Sequence, residues 1–151
     1  MKKLGTFKTL SLVAFSLLTF GVATAQEEGL VPATSLPASS QSFIKENFGM
    51  NNIVSVWQDT ERGRVEDYTA LFADGTEVEF RADGDWKEIK SRNGAVSAKV
   101  IPNKINKYLQ KHYPKALVKE IQKKRNKYEV KLSNGLELDF SKDGRFLKLD
   151  D

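Results

Sequence analysis

The 151-residue sequence contains no cysteine, a single histidine and only four prolines. Without cysteine no disulfide can staple the chain, so its stability has to come from burial. Neither a histidine–cysteine zinc site nor a Cys–His nucleophile pair can be built. A bacterial lipoprotein carries its lipid on a cysteine at the cleavage site, so that route to the membrane is closed as well. A Ser–His–Asp triad would have to use His112, and no Gly-x-Ser-x-Gly elbow is present to supply its serine. His112 stands beside Tyr113 at the end of a predicted helix and reads as a structural or surface residue. No cofactor and no metal site are expected.

Long apolar runs are also scarce, and the one present is informative. Lys2, Lys3 and Lys8 precede an apolar stretch from Leu10 to Phe20, and Ala23-Thr24-Ala25 follows. A basic start, a short apolar centre and a small-x-small motif make a secretory signal peptide, residues 1–25. The stretch is broken by serine and threonine and falls short of the roughly 20 residues a membrane span needs. The expected product is periplasmic or secreted, with no stable membrane insertion once the signal is removed. Residues 26–35 show little periodicity and read as a flexible leader.

The formal net charge of +4 is unevenly spread. From Leu36 to Gly94 there are 7 basic and 11 acidic residues, and from Ala95 to Asp151 there are 14 basic and 7 acidic. Export argues against a nucleic-acid partner despite this basic half. A charge dipole of this kind can orient encounters; its plainer reading is drift between two solvated halves.

The halves are copies of one pattern. Leu36-Pro37 and Ile101-Pro102 open matching segments, offset by 65 residues. Phe43, Ile44 and Phe48 then fall on Tyr108, Leu109 and Tyr113. Later the offset is 60, so that Tyr68 meets Tyr128, Phe80 meets Phe140, and Trp86 meets Phe146. The extra residues of the first copy surround Glu61-Arg-Gly-Arg64, where a hairpin tip absorbs length. Each copy begins as a helix after its proline. Gly49 and Pro114 end the two helices. Strands are expected near 53–58, 64–72, 76–81 and 86–90, then 117–123, 127–132, 136–141 and 145–149. Four Asx-Gly pairs, at 74–75, 83–84, 134–135 and 143–144, supply the positive φ that tight hairpins require. Thr76–Phe80 and Leu136–Phe140 alternate with a period of two. Val78, Phe80, Leu138 and Phe140 should therefore face the helices, and Glu77, Glu79, Glu137 and Asp139 the other side.

This arrangement resembles the PepSY-like domains related in shape to the beta-lactamase inhibitory protein. The helix-opening Leu36-Pro37 and Ile101-Pro102 carry the resemblance, with an aromatic near each helix end and the strand–turn–strand blocks from Phe72 to Trp86 and from Leu132 to Phe146. It implies an α+β fold of two tandem repeats, 36–94 and 95–151. Each would be a helix plus a four-stranded antiparallel sheet, with helices on one face and the sheets side by side. It also implies an exported, non-enzymatic protein. Inhibition belongs to the structural relative and carries over only by analogy.

Candidate sites follow from the strand facing. Glu77/Glu79 and Glu137/Asp139 are i, i+2 carboxylate pairs about 7 Å apart along their strands. Such pairs can perform acid–base chemistry or hold calcium, but mid-strand on an open face they read as a solvated surface with cross-strand partners such as Arg81, Lys131 or Lys142. Asp83-Gly-Asp85 looks like a fragment of a calcium loop, yet Arg145 replaces Asp85 in the second copy, so it reads as a turn. Lys123-Lys-Arg-Asn-Lys127 is a charged hairpin tip. Trp57 and Trp86 could anchor a partner.

The expectation is a binding or inhibitory module that recognises a protein or peptide on the open sheet face through Glu77, Glu79, Arg81, Trp57, Trp86, Glu137 and Asp139. The alternatives are a hydrolase working through those carboxylates and a structural envelope component without a discrete ligand. Processing is the first testable consequence. Mass spectrometry of the protein exported by its native host should find Gln26 at the N-terminus, and an intact Met1 would exclude cleavage.

Overall fold

A computed structural model describes residues 27–150, and the signal peptide read from residues 1–25 lies outside them. Nine strands cross one antiparallel sheet in chain order: β1 (Glu27–Val31), β2 (Ile53–Glu61), β3 (Arg64–Phe72), β4 (Thr76–Arg81), β5 (Trp86–Ser91), β6 (Val118–Lys123), β7 (Lys127–Leu132), β8 (Glu137–Ser141) and β9 (Phe146–Asp150). Helix α1 (Ala38–Asn47) precedes β2, and helix α2 (Asn103–His112) precedes β6. None of the helices among the described residues is long and apolar enough to cross a membrane.

Two expectations need correction. The sheets are not two side by side but one, because β5 pairs with β6 through Glu88–Gln122, Ile89–Ile121 and Lys90–Glu120. Residues 27–31, inside the segment read as a flexible leader, instead form an edge strand on β2, with Leu30 opposite Trp57 and Val31 opposite Val56. A strand this short, with a glycine in it, has no periodicity to display. Its order comes from the backbone groups of β2 that it pairs with.

The turns show why Asx-Gly pairs recur. Gly75, Gly84, Gly135 and Gly144 adopt φ of 83°, 90°, 86° and 83°. The preceding side chain accepts a bond from the amide two residues on, as Asp74 does from Thr76 (2.8 Å) and Asp83 from Asp85 (3.0 Å). Gly84 has a second duty. A Cβ there would lie 2.1 Å from Ser39 Oγ and 2.8 Å from Pro37 Cβ, so the β4–β5 turn can tuck against the start of α1 only as glycine. Ser40, fully buried, closes the contact by donating to the Gly84 carbonyl (2.9 Å).

Both helices lie on one face. On that face a continuous apolar row crosses every strand in register: Val31, Val56, Ala70, Val78, Ile89, Ile121, Val130, Leu138 and Leu149. Above it α1 buries Ile44, and α2 buries Ile105 and Leu109. Aromatic rings close the second layer. Phe43 meets the fully buried Phe80 edge-on at 6.0 Å, and Tyr108 meets the fully buried Phe140 edge-on at 5.4 Å. These are the contacts the alternation predicts. Phe80→Ala or Phe140→Ala removes a fully buried ring and should cost about 3–5 kcal/mol, to be measured by urea unfolding. Unchanged stability would mean that the cavity closes without loss.

Candidate functional site

The face turned away from the helices carries two rows of side chains in strict register. One runs Ser55, Leu71, Glu77, Lys90, Glu120, Lys131, Glu137 and Asp150 from β2 to β9. Its centre alternates in sign, as cross-strand neighbours of opposite charge prefer. Glu77 pairs with Lys90 (3.4 Å) and with Arg92, and Glu137 pairs with Lys131 (3.3 Å).

The adjacent row runs Leu30, Trp57, Thr69, Glu79, Glu88, Gln122, Glu129, Asp139 and Lys148. Here carboxylates accumulate, and lysines bridge them. Lys87 reaches Asp67 and Glu79, both at 2.7 Å, while Lys127 reaches Glu129 (2.9 Å) and Asp139 (2.7 Å). Burial works against the Lys87 ammonium, but its bonds to Asp67 and Glu79 outweigh that and hold its pKa above the ordinary lysine value. Lys127 is raised in the same way by Asp139 and Glu129. The bridging lysine stands on β5 in one half and on β7 in the other, so sequence matching between the halves could not reveal the shared arrangement.

Glu88 is the unbalanced member. It sits mid-row between Glu79 and Gln122, and its pKa is pushed up to about 7. Burial is the main cause, followed by repulsion from Glu120, with Lys90 acting in the opposite sense. Neither the i, i+2 pairs nor the turn motifs signal this residue; only the β5–β6 pairing brings Glu88, Gln122 and the neighbouring Glu120 together.

Of the residues singled out from the sequence, Glu77, Glu79, Glu137 and Asp139 share the open face, and Trp57 lies on it beside Leu30, 42% and 65% exposed respectively. Two expectations fail, and a third holds only in part. Trp86 is on the helix face, stacked on Phe43 (6.5 Å) and tilted against Tyr128 (6.1 Å), because its partner across the ladder is the core Phe80. Asp139 is buried rather than solvated, held by Lys127 and Lys148. Arg81 stands on the open face, opposite Asp67 and in line with Glu77 and Glu79, but its head group is already engaged. Its guanidinium donates to the carbonyls of Trp86 (3.1 Å) and Lys123 and pairs with Asp85 (3.5 Å), clasping β4 and β5 to the end of β6. The basic tip of 123–127 is likewise tied down: Lys123 lies 5.2 Å from the Trp86 ring centre and bonds Asp85 (2.7 Å). His112 stacks on Tyr108 at 4.2 Å. A shallow cleft beside the sheet ladder is bordered by Lys90, Arg92, Lys119 and Lys131. Among the described residues no three His, Asp or Glu side chains are grouped to hold a metal ion.

Glu88 makes stability depend on pH. Its pKa is higher in the folded chain than its ordinary value of 4.5, so folding is helped while the group is protonated, and that help is lost as pH rises from 4.5 to about 7. Glu88→Gln should match the wild type below about pH 4.5. Above pH 7 it should exceed the wild type by about 1–3 kcal/mol. Urea unfolding across a pH series tests this, and a difference that does not vary with pH would exclude it.

Three solved structures from Bacteroides share this architecture. A periplasmic protein of the DUF2874 family from Bacteroides vulgatus is 31% identical, with 84% of this chain and 99% of that one covered and a TM-score of 0.74. A periplasmic protein from Bacteroides thetaiotaomicron, proposed to be calcium-regulated, is 31% identical over 82% and 97% of the two chains, with a TM-score of 0.75. A second Bacteroides vulgatus periplasmic protein, of unknown function, is 32% identical over 83% and 100%, with a TM-score of 0.74. No curated protein matches the chain. Residues 66–148, from β3 to β9, match the family described as beta-lactamase-inhibitor-like and PepSY-like, and with relatives this similar over this much of its length, the chain belongs to that PepSY-like family.

Proposed function

We propose that this protein is an exported, non-enzymatic binding module, made of two copies of one helix–sheet unit, that holds a protein or peptide partner on its open sheet face. One observation carries the reading. The uncovered face ends at β1–β2 in an exposed apolar pair, Leu30 and Trp57, bordered by a field of cross-linked charges. A large aromatic beside a polar surrounding is the composition of a protein-recognition hot spot. The carboxylates Glu77, Glu79, Glu137 and Asp139 then act as a rigid charged frame, since each is already bonded to a lysine or arginine. A partner that meets this frame gains orientation more than affinity from it.

Export is supported by the signal-like N-terminus and by the periplasmic description of the relatives. Inhibition of an enzyme is one form such binding would take, in keeping with the family's description. The hydrolase alternative draws on Glu88, whose carboxyl titrates where a general acid should. Yet it lies mid-sheet on a broad face, and the shallow cleft bordered by Lys90, Arg92, Lys119, Glu120 and Lys131 does not include it. Catalytic carboxyls work inside enclosing clefts.

Trp57→Ala is the test. The wild-type protein, used as bait in an extract of its host's envelope, should retain a partner. The variant should hold it about 30-fold more weakly, the loss expected for a hot-spot residue, while unfolding as cooperatively as the wild type. Equal retention by both, or a partner footprint confined to the helices, would refute the proposal.

A further inference from the structure

The two helices cover equivalent parts of the sheet but present different surfaces. α1 carries one lysine and one glutamate, Lys45 and Glu46. α2 carries Lys104, Lys107 and Lys111 and no carboxylate. Their i, i+3, i+7 spacing sets the three on one stripe, opposite the buried Ile105 and Leu109. Two more cations extend the stripe. Lys115 follows the helix end, and Lys142 stands in the β8–β9 turn. That turn is seated against the helix start, where a Cβ on Gly144 would come within 2.8 Å of the Lys104 Cβ. All five lysines are exposed, and among the described residues none of them has an ion-pair partner.

This contrasts with the open sheet face, where Lys87, Lys90, Lys127 and Lys131 are each engaged by a carboxylate. Like charges gathered without counter-charges repel one another, and a complementary negative surface relieves that repulsion. The chemistry of the stripe says which kind of surface. Lysines are point charges on flexible stems, without the planar fork by which arginine grips a single phosphate or carboxylate in two places. Spread over a convex helix and a neighbouring turn rather than converging on a pocket, they suit many headgroups at once.

We infer that the α2 face docks the protein on an anionic lipid surface. The contact is electrostatic and does not insert, because the apolar side of α2 is already buried against the sheet. It leaves the opposite sheet face pointing away from the lipid. The inference is independent of the function proposed above, since it uses different residues on the other side of the molecule.

The test is sedimentation of the protein, as exported by its native host, with vesicles of phosphatidylglycerol mixed into phosphatidylcholine and with vesicles of phosphatidylcholine alone. Binding is expected to the first and not to the second. It should fade with added salt, because the screening length shrinks to about 3 Å at 1 M. Each basic residue near such a surface contributes about fivefold in affinity, so Lys107→Gln with Lys111→Gln should weaken binding about 25-fold. Lys45→Gln on α1 should leave it unchanged. Equal binding to both vesicles, undiminished binding by the double variant, or an equal loss per charge from Lys45→Gln would overturn the inference. So would preferential capture of polyglutamate over the anionic vesicles, which would point to an acidic polypeptide instead.

Discussion

The structure depends on one row of apolar side chains. From Val31 on β1 to Leu149 on β9, every strand contributes one residue to the same register line on the same face. At its centre, Ile89 and Ile121 face each other across β5 and β6, both fully buried. This contact makes one sheet of what would otherwise be two. A four-stranded sheet under a ten-residue helix buries little, and a domain of that size is marginal without staples. With no cysteine available, the continuous row lets the two halves share a core and protects two inner edges that would otherwise be open to aggregation. Polar clasps secure both ends of the junction: Arg81 and Lys123 at one end, and Lys119 donating to the Gly94 carbonyl at the other.

The register that aligns the apolar row also dictates the other face. A strand places alternate residues on opposite sides, so a row of valines and isoleucines on one side forces rows of their neighbours on the other. Glu79, Glu88, Glu129 and Asp139 are brought into line for this reason. The molecule accommodates them by threading lysines between strands, and Glu88, partly buried and close to Glu120 with Lys90 at 3.6 Å offsetting only part of this, holds its proton to higher pH. The ladder's apolar end, Leu30 and Trp57, depends on β1 joining the sheet.

Particular residues show how far sequence reading reaches. The four Asx-Gly turns, the two helices and the inward facing of Val78, Phe80, Leu138 and Phe140 were legible because each depends on interactions within a few residues along the chain. Strict alternation along β5 puts Trp86 on the open face with Glu88, but a bulge in the β4–β5 ladder between Glu79 and Phe80 interrupts it, so that Trp86 pairs with the core Phe80. Such a bulge leaves no mark on composition. The alternation along β8 gives no sign that Asp139 is buried, because that burial comes with Lys127 and Lys148, which arrive from strands on either side of it.

What the sequence determined alone was local: where the chain turns, which stretches alternate, where helices begin and end, and that no thiol chemistry or disulfide can take part. These follow from backbone sterics and residue types acting over short spans. What only the tertiary structure decided was non-local: that β5 meets β6, that β1 closes one edge, which carboxylates become neighbours, and which lysines are left without partners on α2. Those outcomes depend on contacts between residues tens of positions apart, set by the register of neighbouring strands. A shift of one residue in that register would carry a whole strand's side chains to the other face.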